Sequence, residues 1–175
     1  MSKIKLNADQ LKLANKFAEG FASTAAITGS MRADALNVAH DAWNSTPNMT
    51  MEFADAFADA AVKARGLKGN TAKMQRANML AVFFGGAYAA EVIAVQKRIL
   101  AKPPRGVHVA AMQPARVIEH TSRAVKNLMT EGRGDNMTLT GAKLKGNLAA
   151  RTDALEKLAR GSYKKGKTNA RTANK

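Results

Sequence analysis

Few side chains in this 175-residue sequence are spaced for catalysis or for metal binding. The three histidines, His40, His108 and His120, lie far apart, and none has a carboxylate or a second histidine three or four residues away. Helical metal sites need ligands at such spacings, and the chain has no cysteine to supply thiolate ligands. The sequence therefore predicts no metal site.

The carboxylates give no better indication of an active site. Asp55 and Asp59 share one face of a predicted helix, but that face is expected to be exposed, whereas acid–base catalysis needs a buried and converging pair. No glycine-rich loop follows a strand, so a phosphate-binding loop and a dinucleotide fingerprint are both absent. We therefore expect neither catalytic residues nor a cofactor, and predict that the protein is not an enzyme.

The remaining chemical pattern is made of basic side chains. Arg116, His120, Arg123 and Asn127 follow one another at steps of four, three and four residues, which aligns them on one face of a helix. Further candidate phosphate contacts precede and follow this stripe: Lys97, Arg98, Lys102 and Arg105, then Lys143, Lys145 and Arg160, then Lys164, Lys165, Lys167 and Arg171. Because phosphate attraction adds up over charges, these residues together predict a nucleic-acid-binding surface.

Base recognition would need more than charge, and the sequence offers little for it. Single strands are usually held by aromatic rings beside a basic groove, and this chain has only nine aromatic residues. Tyr163, next to Lys164 and Lys165, is the best stacking candidate, while Trp43 and Tyr88 are expected in the core. No helix-turn-helix, zinc, RNP or KH motif occurs. We therefore expect binding that tolerates any base sequence.

Charge and composition agree with this prediction. The formal net charge is +15, with five basic against seven acidic residues in 1–62 and twenty-three against six in 63–175. A field of that size indicates a polyanionic partner. Alanine makes up about a fifth of the chain. This favours closely packed helices over a sheet, because alanine is the best helix former and is depleted in strands.

Helical periodicity accounts for nearly every segment, so the predicted fold is all-α, with one domain of five or six helices around a long central helix. Only Arg105–Gln113 has any strand character, and we expect an extended connector there. Paired glycines in the central helix, Gly85 and Gly86, predict a kink or a close helix contact. The predicted helices are Asn7–Ile27, Met31–Trp43, Met51–Ala64, Thr71–Ala101, Pro114–Thr130 and Thr138–Ser162.

The two ends of the chain have separate expectations. The N-terminus has charges every few residues and no continuous apolar run, so it is not expected to be a signal peptide. Residues 1–163 are predicted to form the helical domain and residues 164–175 a disordered basic tail, because the tail has five positive charges and no large apolar residue. The apolar run Ala77–Val95 is long enough to suggest a membrane span, but Gly85, Gly86 and Glu91 interrupt it, which favours a buried central helix.

The profile resembles that of small nucleic-acid-binding proteins of lytic bacterial viruses, and most of all the single-stranded-DNA-binding RNA polymerase cofactors of podoviruses. The residues that carry the resemblance are RILAKPPRG (Arg98–Gly106) and the basic segment from Lys164. The resemblance implies a protein of the host bacterial cytoplasm that binds unwound promoter DNA and recruits the viral polymerase, with a fold unlike the OB barrel.

Two function classes follow. The first is a sequence-tolerant nucleic-acid-binding protein, with single-stranded DNA as the favoured ligand. The second is a viral structural or protein-interaction module, a virion component or an inhibitor of a host factor, whose basic surface is not a nucleic-acid site.

A homo-oligomer is also expected, because Leu148, Leu155 and Leu158 form an apolar seam in which Arg151 could set the register.

Overall fold

The computed structural model describes residues 4–22 and 29–172, with side chains in the last helix described as far as Lys164. Helices dominate this part of the chain, which confirms the all-α fold. A single ribbon of two short antiparallel strands, β1 (Thr130–Glu131) and β2 (Thr138–Leu139), is the only sheet in the described residues. The helices are α1 (Ala8–Glu19), α2 (Ser30–Ser45), α3 (Met51–Ala64), α4 (Gly69–Gly85), α5 (Ala89–Ala101), α6 (Pro114–Met129) and α7 (Leu148–Thr172).

Helices α4 and α5 form the long central helix that the sequence predicts. They are joined by one 3₁₀ turn, Gly86–Tyr88, so that Gly69–Ala101 is a continuous helical stretch of 33 residues. Of the two alternatives predicted for the paired glycines, the structure confirms the close helix contact. A Cβ at Gly85 would lie 2.7 Å from Ser122 Cβ on α6, and one at Gly86 would lie 2.6 Å from the backbone carbon of Ala39 on α2. Three helices can therefore approach each other closely at this point.

The core is built around the apolar part of α4. Phe83 is fully buried and contacts the rings of Phe53, Phe57 and Trp43, whose ring centroids lie 6.3, 4.7 and 5.5 Å away. The indole Nε1 of Trp43 also donates a hydrogen bond of 2.7 Å to the Phe83 carbonyl oxygen. Trp43 therefore belongs to the core, as the sequence predicts.

The length of the central helix does not by itself indicate a membrane protein. Among the described residues, Gly69–Ala101 is the one helix that is long and apolar enough to span a bilayer, and 72% of its most apolar window is buried against the rest of the protein. Burial of this kind is typical of the central helix of a bundle.

Local signals set several helix boundaries. Asn7 caps α1 in a capping box, with its side chain accepting from the Gln10 N–H and the Gln10 side chain accepting from the Asn7 N–H, both at 2.9 Å. Pro114 begins α6 as predicted, and α3 has the predicted limits. Helix α1 ends at Glu19, so it is shorter than the predicted Asn7–Ile27. Residues 23–28 of that prediction lie outside the described part of the chain.

The region between α5 and α7 differs from the prediction. The connector Arg105–Gln113 contains a 3₁₀ turn, Val109–Met112, and the strands occur later in the chain. The last helix begins at Leu148 instead of Thr138. Gly146 adopts a left-handed conformation (φ 87°), which cannot continue a helix, and the Asn147 side chain then caps α7 by accepting from the Ala150 N–H at 3.0 Å.

Helix α7 continues through Thr172, so the predicted boundary at residue 164 falls inside a helix. Extending a helix that is already packed needs no new nucleus, because each added residue gains one backbone hydrogen bond. The side chains of Lys165, Lys167 and Arg171 lie outside the described residues, and the disorder of the tail stays a prediction.

Candidate nucleic-acid interface

The direction of α7 decides which basic residues are neighbours. Arg151 on α7 lies 2.6 Å from Glu91 near the start of α5, and Arg160 near the described end of α7 donates to the carbonyl oxygen of Lys102, just beyond α5. Helix α7 therefore runs parallel to α5. Basic residues near position 160 lie beside the C-terminal end of α5, and those before α7 lie at its other end.

Five predicted site residues meet at the C-terminal end of α5, and we call them the Lys102 cluster: Lys97, Arg98, Lys102, Arg105 and Arg160. Two of them are used to hold the fold. Arg98 Nη1 lies 2.6 Å from Asp153 and 3.0 Å from Glu156, and Arg160 Nε lies 2.9 Å from Glu156. The expectation that all five are free for phosphates is corrected for Arg98 and Arg160, because α7 brings two carboxylates against them.

The other three members of the Lys102 cluster keep their charge uncompensated. Lys97, Lys102 and Arg105 are exposed, and none has a carboxylate partner among the described residues. The carbonyl oxygen of Lys102 is bound by Arg160 at 2.9 Å, which fixes the backbone that carries the lysine. These three side chains are therefore placed to attract an anion at the end of α5.

The basic stripe of α6 opens into a pocket of about 190 Å³ between α4, α6, α7 and the connector before α6. We call it the Arg123 pocket. Three of the four residues of the predicted stripe, Arg116, His120 and Arg123, line it, whereas Asn127 lines a separate groove between α6 and α7. The full lining is Asn78, Ala111, Arg116, Glu119, His120, Arg123 and Tyr163.

Among the described residues, Arg123 forms no ion pair with a carboxylate. Its Nη2 donates to Asn78 Oδ1 at 3.0 Å, an amide that carries no charge. One turn further along α6, the pKa of Lys126 is lowered by burial and then by the charge of Arg123, with a smaller opposing effect of Asp55. Arg123 and Lys126 are therefore close enough for their positive charges to repel each other.

Arg116 shares its carboxylate with a second arginine. Its Nη1 lies 2.9 Å from Glu119 Oε2, while Arg32 Nη2 on α2 lies 2.8 Å from Glu119 Oε1. The side chains of Arg32 and Glu119 are 9% and 4% exposed, whereas that of Arg116 is 53% exposed. Arg116 is therefore the outer of two cations on one buried carboxylate.

Tyr163 contacts the pocket in a way the sequence did not predict. Its ring stacks on the His120 ring with centroids 3.5 Å apart, and the residue is only half-buried. This corrects the expectation of a free stacking platform beside Lys164 and Lys165. Tyr163 follows Leu155 and Ala159 at steps of four, so it lies on the face of α7 that packs against the core.

The polar atoms of this stacked pair are unequally satisfied. His120 Nε2 donates to the Ala159 carbonyl oxygen at 3.2 Å. Burial lowers the pKa of His120, this hydrogen bond raises it, and the charge of Arg123 lowers it again, so the net shift is downward. The Tyr163 hydroxyl is buried and has no hydrogen-bond partner in the part of the chain that the structure describes, and burial raises its pKa to about 12. At neutral pH His120 is therefore uncharged and Tyr163 is a protonated donor.

Lys143 and Lys145 are not brought to this region. The intervening Leu144 N–H donates to Tyr88 Oη at 3.0 Å, which fixes the two exposed lysines near the start of α5. Tyr88 directly precedes α5 and Lys102 directly follows it, so the two residues are fourteen positions apart, about 21 Å along the helix axis. Lys143 and Lys145 therefore form a separate basic spot. The last predicted site residue with a described side chain, Lys164, is exposed on α7.

Sequence reasoning missed three residues of this region: Asn78, Glu119 and Lys126. Glu119 stands three residues after Arg116, a helical ion-pair spacing that the sequence does display. Asn78 gave no local signal, because its partner Arg123 is forty-five residues away. Across the part of the chain that the structure describes, no three histidine or acidic side chains converge as metal ligands. That the protein has no metal, no cofactor and no enzymatic activity stays a prediction.

The chain matches no protein-family model, no curated protein and no solved structure.

Proposed function

We propose that the protein binds nucleic acid without base-sequence specificity, through a surface made of the Arg123 pocket and the Lys102 cluster. The observation that carries the proposal is a set of cations that have no acidic partner among the described residues, Arg123 in one place and Lys97, Lys102 and Arg105 in the other. Such charge is costly to bring together in a folded chain and is compensated when a polyanion binds.

The two places are neighbours across α7. Arg160 belongs to the Lys102 cluster and Tyr163 lines the Arg123 pocket, and these residues are three apart on one helix, about 4.5 Å along its axis. Successive phosphates of one strand could therefore contact both places. The basic tail, with Lys164, Lys165, Lys167 and Arg171, would extend the same path along α7.

Single-stranded DNA is the favoured ligand within this proposal. The resemblance to the podovirus polymerase cofactors suggests it, and with it the recruitment of a viral RNA polymerase. The rings of Trp43 and Tyr163 are engaged within the protein, so base stacking on them adds little to this preference. Phosphate contacts are the larger part of the proposed affinity.

A second candidate function is a protein-interaction module, and one observation favours it. A groove of about 760 Å³ lies between α6 and α7, lined in part by Leu128, Ala154 and Leu158. Leu158 is 44% exposed. Exposed leucines beside an apolar groove are a feature of surfaces that receive a partner helix.

The test is a titration of fluorescently labelled single- and double-stranded DNA and RNA at two salt concentrations, followed by anisotropy. We expect tightest binding to single-stranded DNA, similar affinities across base sequences and a strong loss of affinity at the higher salt. Arg123→Gln should reduce the slope of log affinity against log salt by about 0.7 on a single strand. Lys5→Gln removes the same charge from an exposed site before α1 and should leave the slope unchanged. Absence of binding at low salt would favour the protein-interaction module.

A further inference from the structure

We propose that the Arg123 pocket is an oxyanion site that takes a single phosphate group, held by Arg116, Arg123 and the Tyr163 hydroxyl. The inference rests on the proposed function for the source of the phosphate, which would be a nucleic acid. It goes further by naming the group that is bound and the three donors that bind it. The source is either an internal phosphodiester or a terminal phosphate monoester.

The first donor, Arg123, is held in place but not neutralised. Its contact with Asn78 Oδ1 uses one of five guanidinium N–H groups and fixes the side chain over the pocket. Arginine binds phosphate through two parallel N–H groups, and an orienting amide leaves such a pair available.

The second donor, Arg116, can leave its present partner at low cost. Its carboxylate, Glu119, is buried and would normally be costly to leave unpaired. Arg32 remains 2.8 Å from the other oxygen of Glu119, so a phosphate that draws Arg116 away leaves the carboxylate in an ion pair. Arg116 is also the more exposed of the two arginines, at 53% of its side chain.

The third donor is a buried hydroxyl that lacks an acceptor. Among the described residues, Tyr163 Oη has no hydrogen-bond partner, and a buried polar group without a partner is destabilising. The Tyr163 side chain lines the Arg123 pocket. Because its pKa is raised, the hydroxyl keeps its proton at any physiological pH and can donate a hydrogen bond. An oxyanion in the pocket would supply the missing acceptor.

The size of the pocket agrees with one phosphate group. Its volume of about 190 Å³ equals the liquid volume of roughly six water molecules. A phosphate with one or two waters fits this space, whereas a base stacked between rings would need the face of Tyr163 that His120 occupies.

The direct test is a titration of the full chain with inorganic phosphate at constant ionic strength, in chloride buffer, followed by ¹H–¹⁵N NMR of arginine Nε–H and backbone amides. We expect saturable shifts at Arg116, His120 and Arg123 and none at the exposed Lys5. Arg123→Gln should abolish saturation, and Tyr163→Phe should weaken phosphate binding about tenfold, the value of one hydrogen bond to a charged group. Circular dichroism melting verifies that each variant is folded.

Oligonucleotides then separate the two sources of phosphate. A 5′-phosphorylated single strand that binds more tightly than its hydroxyl-ended counterpart, with the difference removed by Arg123→Gln, identifies a terminal monoester. Equal affinities that both fall in Arg123→Gln identify an internal phosphodiester.

Two outcomes would distinguish failure of the site from failure of the function. If oligonucleotides bind and Arg123→Gln and Tyr163→Phe leave their affinity unchanged, the oxyanion site is wrong while nucleic-acid binding stands. If inorganic phosphate saturates the pocket but no oligonucleotide binds at low salt, the oxyanion site stands and the proposed function is wrong. Phosphate shifts spread evenly over all basic residues would overturn the site.

Discussion

Arg32 and Glu119 form an ion pair with 2.8 Å between Nη2 and Oε1, and the pair joins α2 to α6 directly beneath the Arg123 pocket. Arg32 also donates from Nη1 to the Gly20 carbonyl oxygen at 2.6 Å and lies over the Phe21 ring, 3.9 Å from its centroid. Burial lowers the pKa of Arg32, and the charge of Glu119 opposes this effect. One side chain therefore connects the end of α1, α2 and α6.

Breaking this pair should be strongly destabilising. Glu119→Gln leaves the Arg32 charge buried without a counter-charge, and we expect a loss of about 3–5 kcal/mol in the free energy of unfolding, measured by urea denaturation. Asp9→Asn removes an exposed carboxylate that lies 3.6 Å from Lys12, and it should change stability by less than about 1 kcal/mol. Equal effects of the two substitutions would contradict the structural role of the buried pair.

Gly86, the first residue of the 3₁₀ turn, should tolerate no side chain. A Cβ at Gly86 would lie 2.6 Å from the Ala39 backbone carbon and 2.7 Å from the His40 nitrogen, and backbone cannot move aside cheaply. We expect Gly86→Ala to destabilise the protein by about 1–3 kcal/mol or more in thermal or urea unfolding.

Gly161 is the matched control for that substitution. It also lies in a helix, but an added Cβ would meet nothing within 4 Å. Gly161→Ala should therefore raise stability by about 0.5–1 kcal/mol, because alanine restricts the unfolded chain and favours the helix. A destabilising Gly161→Ala would indicate a contact on α7 that the structure does not contain.

Tyr163 should titrate at unusually high pH. Burial raises its pKa to about 12 from 10, so the folded state favours the protonated hydroxyl. The folded state then binds the proton more tightly than the unfolded state. The contribution of Tyr163 to stability is complete below pH 10 and is lost as the pH rises towards 12.

Ultraviolet difference spectra near 295 nm, taken on the wild type and on Tyr163→Phe, isolate this transition. We expect the difference to show one phenol ionising near pH 12. Ionisation close to pH 10 in a chain that circular dichroism shows to be folded would mean that the hydroxyl is in contact with water.

Removal of the basic tail tests the phosphate path along α7. Deleting residues 164–175 removes five positive charges, and each lost phosphate contact should flatten the salt slope on a single strand by about 0.7. Affinity should fall similarly for all base sequences, as read from anisotropy. Unchanged affinity and unchanged slope would assign the tail to solubility alone.

The oligomeric state is a separate prediction. Leu155 is fully buried within the chain and Arg151 pairs with Glu91 of the same chain, so neither residue can set a register between copies. Leu148 and Leu158 remain 49% and 44% exposed on α7. We expect light scattering to give a mass above the 18.6 kDa of one chain and the double variant Leu148→Gln/Leu158→Gln to lower it. A wild-type mass of 18.6 kDa at micromolar concentration would refute self-association.

The sequence alone determined the features that depend on neighbours a few residues away. The capping box at Asn7, the limits of α3 and the start of α6 at Pro114 follow from side chains within one helical turn. The alignment of Arg116, His120 and Arg123 follows from the helix repeat, and these three of the four residues in the predicted stripe line the pocket. Helical spacing fixes such relationships whatever the rest of the chain does.

Tertiary structure decided which of the basic residues remain available. Arg98 is paired with carboxylates more than fifty residues away, Tyr163 stacks on a histidine forty-three residues earlier, and Arg123 finds only an amide. Those outcomes depend on which faces of α5, α6 and α7 meet and on the left-handed Gly146 that delays α7 by ten residues. Packing of distant faces is a property of the whole core, so no local pattern in the sequence could separate the structural arginines from the free ones.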